Sequence, residues 1–107
     1  MDDLVDVTIS ADSAEWLATF TRELVTDRLA ACGNIIPAIR SIYRWQGDIS
    51  DDAEALVILH TRKSLVPKII QRASQQHPYD TPQVIAVPVA NVHPGYHAWV
   101  LDSTDSQ

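Results

Sequence analysis

The sequence predicts an α+β domain of the ferredoxin-like class, βαββαβ with a short C-terminal helix. Three observations carry this reading. Runs rich in β-branched residues, LVDVTIS (4–10) and QVIAVPV (83–89), bracket a long strand pair, IIPAIRSIYRW (35–45) and DAEALVILHT (52–61). Apolar residues at helical spacing fill the segment before that pair and the segment after it. No repeat, linker or low-complexity stretch interrupts the 107 residues, so 1–107 reads as a single domain. Its ordered core is expected at about 4–102, followed by a polar tail over 103–107.

Each element has its own local warrant. After strand 4–10, Asp12 with Glu15 three positions on suits a capping box for the first helix. Leu17, Phe20, Leu24 and Ala31 then share a face, and Gly33 suits the C-terminal cap. The strand pair turns around Gln46-Gly47, and Pro37 confines its first member to a sheet edge or a bulge. Ser64 is placed to cap a second helix whose stripe is Leu65, Val66, Ile69, Ile70 and Ala73, with Pro67 tolerated in its first turn. GYHAWVLDS (95–103) makes the final helix, with Tyr96, Trp99 and Val100 on one face and His93 before it. Two helices cover only one face of such a sheet. Strand 52–61 is nevertheless apolar on both, Val57 and Leu59 against Leu56 and Ile58, so a partner subunit is expected on the other.

Composition excludes several function classes. The formal net charge is −6, and the eight Lys and Arg residues are dispersed, which argues against nucleic acid and anionic membrane as partners. No stretch approaches the roughly 18 apolar residues of a membrane span. A lone cysteine excludes an internal disulfide, and the acidic Met-Asp-Asp start lacks the basic and apolar regions of a secretion signal, so a cytoplasmic home is expected. Three glycines make no phosphate loop, and EALVILHT offers no aromatic platform for RNA bases.

The candidate chemistry is sparse. Cys32, placed at the negative end of the first helix, reads as a buried structural thiol rather than a nucleophile. No CxxC or HExxH is present, while one cysteine with one or two histidines would suit copper or zinc. HPYD (77–80) can be a plain turn into the last strand or a cluster of binding groups. Acid–base work by His77 with Asp80 or Glu54 stays open, although no nucleophile accompanies them.

RLAACGNIIPAIRSIYRWQGDI, EALVILHT, SLVPKII and HPYDTPQVIAVPV resemble the CutA family of divalent-cation tolerance proteins, from about Arg28 to Trp99. The resemblance rests on Cys32-x-Asn34, Tyr43-x-Trp45-x-Gly47, Glu54, Thr61, His77-Pro78-Tyr79 and Trp99, in that order. It implies a ferredoxin-like subunit similar to PII signalling proteins, a homotrimer, and a link to copper and other divalent cations. The leading reading is a metal-ion binding or signalling-type trimer without catalytic turnover; the alternatives are an acid–base enzyme using His77, Asp80 and Glu54, and a structural trimer that anchors partner proteins. His60 stands where the family usually has lysine, and Asp80 where it usually has glutamate. On this reading His77, Tyr79, Asp80, Glu54, Trp45 and His60 form a binding pocket. Cys32 matches the cysteine associated with copper, and Cys32 and His77 are the metal-ligand candidates. His60 is an outside candidate, with His93 and His97 next in line. No cofactor is obligatory, and Cu2+ is expected to bind in preference to Mg2+ because sulfur and imidazole donors suit late transition metals.

Overall fold

The computed structural model describes residues 2–106; Met1 of the acidic start and Gln107 of the polar tail lie outside the described residues. The order is β1 (Leu4–Ala11), α1 (Ala14–Thr26), β2 (Cys32–Trp45), β3 (Asp48–Arg62), a 3-10 turn (Lys63–Leu65), α2 (Val66–Gln76), β4 (Val84–Pro88) and α3 (Pro94–Ser103). The strands form one antiparallel sheet in the order β2-β3-β1-β4. This is the ferredoxin-like arrangement read from the sequence.

Side-chain alternation sorts the sheet into two faces. Val5, Val7 and Ile9 of β1 pair with Thr61, Leu59 and Val57 of β3, and all are buried beneath the helices. Leu17, Phe20 and Leu24 of α1, with Ile69 and Ala73 of α2, complete that core. Each buried aliphatic side chain there contributes about 1.5–3 kcal/mol of transfer free energy. The opposite face carries Asp6, Thr8, Leu56, Ile58, Ile85 and Val87, and among the described residues no helix buries its centre: Leu56 and Ile58 stay half-buried, Ile85 and Val87 half exposed. α3 covers only one end, where Val100 joins Leu4 and Ala31 in a small second cluster.

Several boundaries differ from expectation for identifiable reasons. Ser13, not Asp12, caps α1, its hydroxyl accepting from the Trp16 N–H at 3.1 Å. The helix stops at Thr26 because Arg28 adopts a left-handed φ of 62°, so the reversal comes before any glycine. Arg28 is held there by the 2.6 Å bond its guanidinium donates to the Asp102 carbonyl. Cys32 is therefore the first residue of β2, and the helix-end argument for its chemistry does not apply. It is half-buried rather than buried. Gly33 is a strand residue beneath α1; a Cβ there would lie 2.5 Å from Thr21 Cγ2 and 3.1 Å from side-chain atoms of Leu59 and Val57. Ser64 caps no helix; it donates to Asp2 at 2.6 Å.

β4 is an edge strand, with Ile85 and Val87 half exposed. The tail is held further than expected. Thr104 is buried, its hydroxyl accepts from Arg62 Nε at 2.9 Å, and the Asp105 N–H donates to the Arg28 carbonyl.

The strand pair is the long feature of the molecule. Pairing runs from Trp45↔Asp48 back to Cys32↔His60, with a bulge between Ile36 and Ile39 around Pro37. Gln46 and Gly47 both take positive φ, 49° and 85°, as a two-residue primed hairpin turn requires. Beyond the bulge the hairpin projects past the helices, giving a molecule 45 Å long and 26 Å wide.

Candidate functional site

A cavity of about 610 Å³ lies where the projecting hairpin meets the loop after α2. Tyr43 and Trp45 come from β2, Glu54 from β3, Ser10 from β1, and Tyr79 and Asp80 from the loop. Strand alternation explains the choice: Tyr43 and Trp45 are two apart on β2, and the bulge sets Ile39 rather than Ala38 opposite Glu54. Of the pocket residues read from the sequence, Tyr79, Asp80, Glu54 and Trp45 come together here. His77 stands behind them, and His60 is at the other end of the sheet.

His77 is a building element. Its Nδ1 accepts the Tyr79 N–H at 3.0 Å, so Nε2 carries the proton and donates to the Ser10 carbonyl at 2.8 Å. Its ring is buried, edge-on to Trp16 at 4.8 Å. Both nitrogens are committed, so His77 is not poised as a base, and it could ligate a metal only by giving up one of these bonds. Its effect is to fix the loop so that Tyr79 Oη donates to Glu54 Oε2 at 2.8 Å.

The phenols are held neutral. Burial, then the Glu54 hydrogen bond and its negative charge, push the Tyr79 pKa well above the ordinary tyrosine value. Tyr43, which sequence reasoning left out of the site, makes the same contact with Asp52, and that hydrogen bond raises its pKa too. The signal available for Tyr43 was its two-residue spacing from Trp45 on one strand. No lysine or arginine lines the cavity.

The second group sits at the other end of the uncovered face. Cys32 pairs across the ladder with His60, and His60 with Asp6. His60 Nδ1 donates to Asp6 Oδ1 at 2.6 Å, and Nε2 lies 2.8 Å from Asn34 Oδ1. Cys32 Sγ is 3.5 Å from Tyr96 Oη, whose pKa is raised to about 12 by burial and then by this contact. Cys32 and His77 do not share a site. His77 reaches Ser10, four residues along β1 from the Asp6 that faces His60, about 13 Å at 3.3 Å per residue. His93 and His97 do not converge either: His93 Nδ1 caps α3 by accepting from Gly95 at 3.0 Å, and His97 Nε2 donates to the Asp2 carbonyl. Among the described residues no group of three or more His, Cys, Asp or Glu is arranged to hold a metal ion. Cys32 and His60 do face each other across the β2–β3 ladder.

The chain is similar to known proteins along nearly its whole length. The family profile described as "CutA1 divalent ion tolerance protein" matches residues 5–103. A Thermus thermophilus protein named divalent-cation tolerance protein CutA is 40% identical over 98 residues, 92% of this chain and 95% of that one. Protein CutA of Mus musculus is 46% identical over 85 residues, and there the match spans only 48% of the relative's length. The crystal structure of CutA1 from Oryza sativa superposes with a TM-score of 0.95 at 33% identity, covering 99% of this chain and 97% of that one. The chain belongs to the CutA1 divalent ion tolerance family.

Proposed function

We propose that the protein works as a homotrimer, similar in build to PII signalling proteins, that binds ligands at its subunit junctions and turns nothing over. One observation carries this: the wall of the 610 Å³ cavity is unfinished. Trp45 is 54% exposed and Ile42, beside it, 65%, on a hairpin that projects beyond its own helices. Ile85 and Val87 leave a second apolar edge bare at β4. Closed cyclic association covers such edges, whereas an open one invites aggregation. The absence of turnover is supported by His77, whose two nitrogens are spent on the loop, so that no histidine base is offered to the serine and threonine hydroxyls of the cavity wall.

The metal response is assigned to the other end of the uncovered face. Cys32 and His60 supply the sulfur and imidazole donors that suit copper, and donors from more than one subunit complete the coordination. To ligate, His60 must release Asn34 or Asp6. We place the protein in the cytoplasm, where a lone thiol stays reduced; no helix among the described residues is long and apolar enough to cross a membrane.

Light scattering tests the assembly, with a mass about three times the 11.9 kDa chain expected. A monomer at micromolar concentration sinks the junction reading. Calorimetric titration tests the metal: Cu2+ binds and Mg2+ does not, and Cys32→Ser or His60→Ala weakens copper by about tenfold or more. His77→Ala leaves copper affinity unchanged but costs about 1–3 kcal/mol of stability, because the Ser10 carbonyl loses its buried partner. Loss of copper binding in His77→Ala alone would return the metal to the His77 end.

A further inference from the structure

From the chemistry of its wall, we infer that the cavity between the projecting hairpin and the 77–83 loop is a site for a small organic ammonium ion carried on an apolar body. The inference deepens the junction reading and rests on it. Two independent features point the same way. The wall this chain supplies is carboxylate without a counter-charge: Glu54 and Asp80 line it, Asp52 stands behind Tyr43, and no lysine or arginine of the chain lines it. An anion would meet uncompensated negative charge, and a neutral molecule would leave these carboxylates to water.

The second feature is aromatic. Tyr43, Trp45 and Tyr79 line the cavity, and aromatic rings attract cations through their quadrupole. The phenol hydroxyls donate to Asp52 and Glu54, which fixes the rings; Glu54 lines the cavity, and its second oxygen is left for a further donor. An ammonium N–H can take that oxygen while its carbon skeleton lies against indole and phenol. A bare metal cation would use neither the rings nor most of 610 Å³, and the described residues place no third donor to hold one. The volume lies within the range of small-molecule sites, about 300–1,000 Å³. His77 is the positioning residue, since its bond from the Tyr79 N–H sets the ring that meets Glu54.

The test uses the full chain in its native assembly, titrated calorimetrically and by tryptophan fluorescence with three probes of one shape. These are phenethylammonium, phenethyl alcohol and phenylacetate. The ammonium is expected to bind about tenfold more tightly than the alcohol, and phenylacetate not at all. Glu54→Gln with Asp80→Asn, which keeps shape and removes charge, should weaken it about tenfold. Trp45→Leu should weaken it several-fold, while Trp45→Phe keeps most of the affinity. Equal binding of ammonium and alcohol overturns the inference, as does displacement of the ammonium by Cu2+ at matching concentration. Light scattering on the same samples separates the two readings. A trimer indifferent to ammonium defeats the ligand class and leaves the junction standing, whereas a monomer defeats the junction itself.

Discussion

The two faces of the sheet are built from the same strands, yet they solve different problems. On the helix-covered face Val7, Ile9, Val57 and Leu59 are fully buried, and β1 and β3 interlock there with α1 and α2. On the other face Leu56 and Ile58 are only half-buried, Ile85 and Val87 are half exposed, and polar residues are interspersed: Asp6, Thr8, Asn34, His60. The first face is finished within the chain. The second mixes apolar area with hydrogen-bonded polar groups, the composition of a surface that meets both a partner and a ligand. Fold stability therefore resides on one side of β3, and the proposed assembly and binding would use the other.

Adjacent residues of β3 offer the largest test of that division. Leu59→Ala removes a side chain with no exposure from beneath α1, and about 2–5 kcal/mol of unfolding free energy should go with it. The loss should appear in urea denaturation at every protein concentration. Ile58→Ala, one residue away on the uncovered face, should instead lower the midpoint in a concentration-dependent way if the proposed trimer covers that face. Equal, concentration-independent losses from both would mean that the two faces are not distinct.

The contact between α1 and β2 gives a sharper version. Gly33 is needed for space, since a Cβ would sit 2.5 Å from Thr21 Cγ2. Gly33→Ala should cost about 1–3 kcal/mol by overpacking the covered face. Thr21 tolerates change at this point: its hydroxyl is buried without a hydrogen-bond partner, and Thr21→Ser removes the clashing methyl. The double variant should recover part of the loss. No recovery would place the strain in the backbone of β2 rather than in the helix contact.

The sequence made the strand order and the covered face legible through periodicity alone. The end of α1 was not legible, because the left-handed residue is Arg28, stabilised by Asp102 from the far end of the chain, and no local signal replaces a glycine. The site was legible in part. Of the residues singled out, Tyr79, Asp80, Glu54 and Trp45 line one cavity, but the side-chain direction of His77 depends on Ser10 and Trp16, distant in sequence. Cys32 was misplaced together with that end of α1, since the helix stops at Thr26 and Cys32 opens β2; the register of the ladder then decides the face it takes. Counted back from the Gln46-Gly47 turn without interruption, Cys32 falls opposite Thr61 and under the helices. The bulge around Pro37 shifts the ladder by one residue, so Cys32 meets His60 on the uncovered face. Pro37 announced a bulge or an edge; it could not announce which residues the bulge would re-aim.

The smallest effect concerns the tyrosines, which report on the uncovered face without any substitution. All three, Tyr43, Tyr79 and Tyr96, have pKa values raised above 10.0. For Tyr79 and Tyr96 the first cause is burial; for Tyr43 it is the hydrogen bond to Asp52. A phenol whose folded pKa is raised holds its proton more tightly in the native state. Its contribution to stability is then complete below pH 10.0 and is lost as pH rises through the folded value, about 12 for Tyr96. Phenolate absorbance of the native protein should thus lag that of the urea-unfolded chain, with no native step at the ordinary tyrosine value. Tyr96→Phe should delete the step near pH 12 and leave the others, whereas Glu54→Gln should bring Tyr79 downward by removing the charge its hydroxyl faces. A native tyrosine titrating with the unfolded chain would show that one of these phenols is free in solution, and the hydrogen bond assigned to it would have to be withdrawn.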